Sequence, residues 1–496
     1  MSGGISSPLL VAVTIGIISG YLTLRKVRPN QLPLPPGPPS YPIIGQLLSM
    51  PRSSEGPAFI DMSIKLNSDI ISYSFLGKTI VVLNSTEAAH DLLEKRSSIY
   101  SGRFCPPMIA SPNLMNMKDF LVFMDTNELW KKQRRALSSR LSKHAVTAFR
   151  TSQELEARRL LVRLLVANTE CVSSEFLNTE FYRTTATIFL QSVYGYELKS
   201  PQDPFFTDII TLNASITQAA LPTAFLVNAL PWLEYIPEWV PGTGWKRTAR
   251  EWRAQKERTM SGAYNWAKQR FISGGDDSSM VSLTYNELRE MGSTEAEADE
   301  FCKNIATALI GAGTETSALS MMWFVVAMAL YPDIQERAQR EIDEVTTNGS
   351  CALASHCTTR CTSHLYPGGR ISGLSNPQRR NHAWTYNGDC QRRAYLQERR
   401  EVQPRSILRP NSTPSEAFGW GLRICPGQHF FKEIFYFEIV LMLATLKIES
   451  YKDENGEEIL PTEETTSNSA IACPVPFKVK ITPRSEHHAE LIRTAT

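Results

Sequence analysis

Phe418-Gly419-Trp420-Gly421-Leu422-Arg423-Ile424-Cys425-Pro426-Gly427 is the stretch that decides how this chain is read. Its glycines permit a tight loop that comes close to a flat ligand, and Pro426 suits the first residue of a following helix. Cys425 is thereby expected at a helix N-terminus, where the dipole favours a thiolate. Arg423, two residues earlier, adds positive charge that can hold a carboxylate. A buried cysteine in front of a core helix would leave that arginine unexplained in so apolar a loop. Downstream, Phe430 to Leu446 is apolar on almost every face, as suits a helix in the core beside a cofactor.

Upstream, the longest helical pattern runs from Thr294 to Leu330, acidic at its start and followed by Pro332. At 1.5 Å per residue it would be about 55 Å long, enough to cross a whole domain, so it should be buried. Inside it lies Gly311-Ala312-Gly313-Thr314-Glu315-Thr316-Ser317. A glycine pair in mid-helix costs stability unless the backbone distorts or something approaches closely, a cofactor or a packed neighbour. Glu315 and Thr316 set an acid beside a hydroxyl, a pair fit for general acid catalysis. A Gly-x-Gly nucleotide loop is excluded, since a third glycine and a preceding strand are missing. Trp130 and Arg134 lie four apart on one helix face, which alone would describe an amphipathic surface helix.

The decapeptide resembles the haem-binding loop of the cytochrome P450 family, matching Phe-x-x-Gly-x-Arg-x-Cys-x-Gly at every fixed position. Ala312 to Ser317 is similar to the family's Ala/Gly-Gly-x-Asp/Glu-Thr-Thr/Ser, and Trp130 to Arg134 to its Trp-x-x-x-Arg. The resemblance implies a mainly α fold with small β-sheets, carrying haem b (heme b, iron protoporphyrin IX). It implies Cys425 as the axial iron ligand, within a loop framed by Phe418 and Gly427. Arg423, Trp130 and Arg134 would meet the haem propionates, Ala312 and Gly313 would lie beside the haem, and Glu315 with Thr316 would direct protons. Thiolate ligation favours O–O cleavage, so the implied reaction is O₂ activation and oxidation of a hydrophobic small molecule. The chain has no nucleotide-binding loop of its own, and the implied electron donor is an NADPH-dependent cytochrome P450 reductase. Lys131, Lys132 and Arg135 could form its docking face, or simply a solvated basic face. A haem-thiolate isomerase or peroxide-using enzyme would not need the Glu315–Thr316 pair. Tyr100 to Arg103, Phe225 to Trp245 and Pro476 to Ile481 resemble fungal members that oxidise secondary metabolites. Pocket candidates are the segment after Arg103, the helix face at Ile305 and Ala308, and the turn Ser469-Ala470-Ile471.

The N-terminus carries a targeting signal. Pro8 to Leu24 is a nearly unbroken apolar run, long enough to span a bilayer, with Arg25, Lys26 and Arg28 after it rather than before it. Residues 1–28 are therefore expected to be a retained single-pass anchor in the endoplasmic reticulum membrane, with the catalytic domain cytosolic. Residues 29–40, rich in proline, read as a stiff hinge, and 41–496 as the catalytic domain. Aromatic residues between Phe225 and Trp245 could rest at the membrane surface or pack within the domain. The sequons at Asn84, Asn213, Asn348 and Asn411 would go unused in the cytosol. A net charge of +2 on 496 residues argues against nucleic acid as a partner. Nine scattered cysteines do not suit a secreted disulfide framework. Ile70 to Ser74 and Thr79 to Leu83, separated by Gly77, read as a small hairpin.

The resemblance breaks between Thr346 and Ser412. There the family needs a helical Glu-x-x-Arg, a pocket-lining sheet and a Pro-Glu-Arg-Phe-like element, and the sequence offers none of them. Glu156 to Arg159 has the spacing but lies on the wrong helix, far upstream. The segment holds ten arginines without one lysine or phenylalanine, a shift that a reading-frame change or a mis-joined exon would explain. Its alternative implication is a catalytically impaired or silent member that lacks the Glu-x-x-Arg network. Cys351, His356, Cys357, Cys361 and His364 cluster here, but without the paired knuckles of a closed zinc site.

Overall fold

The computed structural model describes residues 32–42, 44–51, 55–75, 77–167, 170–221, 224–275, 278–346, 416–466 and 472–494. The expected anchor, the atypical segment after Thr346, the cysteine and histidine cluster and the Ser469 to Ile471 turn lie outside the described residues. Helices of eight residues or more are labelled α1 to α11. The chain divides into two units, Met1–Met50 with Met62–Val82, and Pro51–Asp61 with Leu83–Thr496. Helix α1 is Glu55–Leu66.

In the first unit, strands β1 (Ile70–Phe75) and β2 (Lys78–Leu83) form the two-stranded sheet that the β-branched runs predict. The proline-rich segment does not stand free beside it. Ser72 donates from its backbone to Pro36 O at 2.9 Å and from its hydroxyl to Pro35 O at 2.6 Å, so this part of the hinge is tied to β1.

The second unit is mainly helical. Its elements run α2 (Glu128–Arg140), α3 (Arg150–Val166), β3 (Val172–Ser173), α4 (Ser174–Tyr194), α5 (Pro204–Ala220), α6 (Trp245–Ile272), α7 (Met280–Glu290), α8 (Glu295–Leu330) and α9 (Pro332–Thr346). After the undescribed segment come α10 (Gln428–Thr445), β4 (Leu446–Lys452), β5 (Glu458–Ile459), β6 (Lys478–Pro483) and α11 (Glu486–Arg493). The strands form one antiparallel sheet in the order β3-β6-β4-β5, with Leu446 opposite Pro483 and Ser450 opposite Val479.

Helix α8 organises this unit. Its start is fixed by a capping box, in which the Thr294 hydroxyl accepts from the Glu297 backbone while the Glu297 carboxylate accepts from the Thr294 backbone at 2.8 Å. Though long and apolar enough to cross a bilayer, it is mostly buried and serves as the core helix. Its first half, through Ile310, packs in one hydrophobic cluster with α2, α4 and α6. Its second half, from Ala318, packs in another with α3, α10 and the sheet. Gly313 is required by packing: a Cβ there would lie 2.1 Å from the Phe189 ring of α4. That ring in turn meets Phe430 of α10 with centroids 5.1 Å apart.

Three details depart from expectation or complete it. Helix α10 starts at Gln428 with Gly427 as its N-cap, so Pro426 is a turn residue rather than the first helical one. The Glu156–Arg159 pair closes at 2.6 Å within α3 and reaches on to Glu197, consistent with a local role on that helix. Asn84 and Asn213 are buried, which closes those two sequons to modification in the folded protein. Glu438 of α10 is also buried, 1% exposed, and among the described residues neither of its carboxyl oxygens has a hydrogen-bond partner.

Candidate functional site

The loop before α10 folds as two short 3₁₀ turns, Glu416–Phe418 and Gly421–Arg423. They close when the Cys425 N–H donates to Phe418 O at 2.7 Å. Gly421 cannot be replaced freely, because its φ is +52° and a Cβ would lie 2.4 Å from Leu93 O. The Phe418 ring packs on Phe431, centroids 5.7 Å apart, with the Lys432 ammonium 5.0 Å from its centre. Burial pushes the Cys425 thiol above its ordinary range, opposed by a hydrogen bond from the Gly427 backbone and by the Arg134 charge. With Gly427 as the cap, Cys425 lies two residues before the first turn of α10.

Helix α2 brings its pair to this loop. Asn127 caps it by accepting from Trp130 N at 2.8 Å, and Trp130 is buried. The Arg134 guanidinium donates to Ile424 O at 2.6 Å, one residue from the cysteine. Arg423 lies over the Trp130 ring at 4.5 Å and Arg134 at 5.7 Å, so the two motifs meet on one indole. Arg423 also donates to Ser101 O and Met124 O, both at 2.7 Å.

Two features escaped the sequence reading. Arg103 joins this group and donates to Val122 O. Burial first, then the repulsion of Arg103 and Arg134 against the attraction of Asp125, lowers Arg423 to about 10. Arg150, the first residue of α3, grips Glu433 of α10 with two bonds at 2.7 and 2.8 Å, eight residues after Cys425. Arg150 and Glu433 carry no sequence signal beyond their charge, and Arg103 stands out in the sequence through its segment rather than as a neighbour of Arg423.

Among the described residues, none of Arg103, Arg134 and Arg423 forms an ion pair with a carboxylate. The half-buried Arg134 and Arg423, with the exposed Arg103 within electrostatic reach, call for an anion. A soft sulfur donor beside them suits iron. The residues present therefore fit haem, whose propionates would answer the arginines and whose iron would take Cys425. Arg423→Ala is expected to cost about 2–3 kcal/mol, because two backbone carbonyls lose a charged donor. Thermal unfolding beside Arg103→Ala, which removes fewer bonds, checks this.

On α8, Ala312 and Thr316 are exposed, four apart on one face, with the Thr316 hydroxyl donating to Ala312 O at 2.7 Å. Glu315 is half-buried, and burial raises its carboxyl above the usual range. Gly313, on the Phe189 side, links this turn to α10 through the Phe189–Phe430 contact. Of the pocket candidates, Ile305 and Ala308 are taken up in the core and Phe104 is exposed. On the basic face of α2, Lys131 pairs with Glu128 at 2.7 Å and Lys132 lies over Phe301. Between Phe225 and Trp245, Trp232, Tyr235 and Trp239 are exposed, whereas Phe225 packs on Trp252.

Comparison with known proteins agrees with this geometry. The family model for Cytochrome P450 matches residues 35–358. Cytochrome P450 monooxygenase 98 of Postia placenta is 30% identical, over 97% of this chain and 96% of that protein. A cytochrome P450 monooxygenase of Armillaria gallica is also 30% identical, over 97% and 98%. Tryptamine 4-monooxygenase of Psilocybe cyanescens is 28% identical, over 96% and 98%.

Proposed function

Because the chain belongs to the cytochrome P450 family, whose similar members are named monooxygenases, we propose that it oxidises a hydrophobic small molecule with Cys425 as iron ligand. The observation that carries this is the meeting of Arg423, Arg134 and Trp130 beside the Cys425 loop, from elements nearly 300 residues apart. Haem b, when bound, supplies the reductive activation of O₂. The protein's share is to hold and to protonate. Arg103, Arg134 and Arg423 would bind the propionates, with the Trp130 ring fixing the planes of two of them. Phe418 and Gly427 would shape the loop around the sulfur, and Ala312 and Gly313 would bound the other side. Glu315, neutral more of the time than an exposed glutamate, would hand a proton to the Thr316 hydroxyl, which faces the open side of α8.

Electrons would come from an NADPH-dependent reductase reaching the basic face of α2. The exposed Trp232, Tyr235 and Trp239 favour a membrane surface over packing within the domain, in keeping with an N-terminal anchor at the endoplasmic reticulum. A relative whose name gives tryptamine as its substrate fits a small organic molecule of secondary metabolism.

The deciding experiment is the spectrum of the reduced, carbon-monoxide-treated protein. A red-shifted thiolate band supports the reading, and its absence from protein that binds haem sinks it. The proton role has its own test. Thr316→Ala is expected to keep haem and the band, while diverting about tenfold or more of the NADPH electrons to peroxide. Unchanged coupling would remove Thr316 from the mechanism.

A further inference from the structure

The turn of α8 from Gly311 to Ser317 contributes no side chain to either hydrophobic cluster, since one ends at Ile310 and the other begins at Ala318. Four of its carbonyls instead receive side-chain donors, among them Thr316 O from Ser320 Oγ at 2.8 Å. Asn213 Nδ2 donates to Gly311 O at 3.0 Å, Thr316 Oγ1 to Ala312 O at 2.7 Å and Thr185 Oγ1 to Thr314 O at 3.1 Å. Thr185 has one proton, also within reach of Phe181 O and Tyr182 O at 3.0 and 3.1 Å, so its hold is divided. Asn213 is buried on α5, and Gly311 makes room for it: a Cβ there would lie 2.9 Å from Asn213 Oδ1. In a regular helix Gly311 O accepts from the Glu315 N–H. The second lone pair of that oxygen takes the Asn213 donor, which ties this turn to α5. Tyr182 of α4 lies beside Asn213 and feels the Glu315 charge, so Asn213 sits where α4, α5 and the acid converge.

We infer that Asn213 is a positioning residue for the Glu315–Thr316 pair: through the Gly311 carbonyl it fixes the turn from which both side chains project. This rests on the proton-delivery reading of that pair. Asn213 also lines a small cavity with Asp208, Thr259 and Thr307, which gives a replacement side chain space.

The test uses the full-length, haem-loaded protein with Asn213→Leu, which keeps the volume and removes the donor, and Asn213→Ala. Amide exchange over residues 309–318 is expected to quicken about tenfold in both, with little change elsewhere. The share of NADPH electrons lost as peroxide should rise at least about threefold, with haem content and the carbon-monoxide band intact. If leucine restores wild-type exchange, Asn213 only fills space and the inference is overturned. Faster exchange with unchanged coupling overturns it as well. Thr316→Ala, run in parallel, separates the two ideas. Lost coupling there but not in the Asn213 variants rejects the positioning role alone, whereas coupling kept in Thr316→Ala rejects the proton reading and the inference together. Should leucine prevent folding, Asn213→Ser, whose donor is too short to reach Gly311, is judged by the same criteria.

Discussion

Cys425→Ala is expected to abolish the red-shifted carbon-monoxide band and to reduce oxidation by a factor of at least about 100. The loss should be this complete because Cys425 is the sulfur of the loop on which Arg134, Arg423 and Trp130 meet. The fold should survive the change. The carbonyl bonds of Arg423 to Ser101 and Met124, and the Arg150–Glu433 pair, involve no atom of the cysteine side chain. What should fall is the extra stability conferred by bound haem. Absorbance of the reduced protein and thermal unfolding with and without added haem check both halves. An unaltered band in the variant would refute the assignment of Cys425.

Glu438→Met is expected to stabilise the protein by about 3–5 kcal/mol more at pH 8 than near pH 4.5. Burial pushes the Glu438 carboxyl up to about 8, and the Arg163 charge offsets this only in part. Below about 4.5 the group is neutral in both folded and unfolded chains, and only the pH-independent cost of burying a neutral carboxyl remains. As pH rises from there, the unfolded chain releases the proton and the folded one retains it, so stability falls until about pH 8, where the folded carboxyl also ionises. Methionine has similar volume and no charge to desolvate. Apparent melting temperatures of the two proteins should therefore diverge as pH rises from 5 to 8. Parallel curves would mean that Glu438 finds a partner in solution.

The site was legible wherever its information is local. Phe418 to Gly427 reads directly because ligand, charge and turn residues are consecutive, and Trp130–Arg134 because four residues make one helical turn. The start of α8 was written in Thr294 and Glu297. Contacts between distant segments left no such trace. Nothing near Arg103 says that it will lie within electrostatic reach of Arg423, and Gly313 answers to Phe189, a ring on another helix. Pro426 misled because a turn of two residues intervenes before the helix begins. The family-model match ends at residue 358, inside the stretch where lysine disappears and arginine accumulates, so composition marked the same place.

The passage of α8 through two separate hydrophobic clusters bears on how the domain comes apart. Each cluster grips one half of a single unbroken rod, and between Gly311 and Ser317 the rod adds no apolar side chain to either, being held there by the Phe189 ring against Gly313 and by side-chain donors to its carbonyls. If one cluster loosens, its half of the rod loses the burial that keeps it helical, and fraying spreads toward the other half. The rod thus makes the two cores one cooperative unit, and the turn that carries Glu315 and Thr316 is the stretch through which each core feels the other.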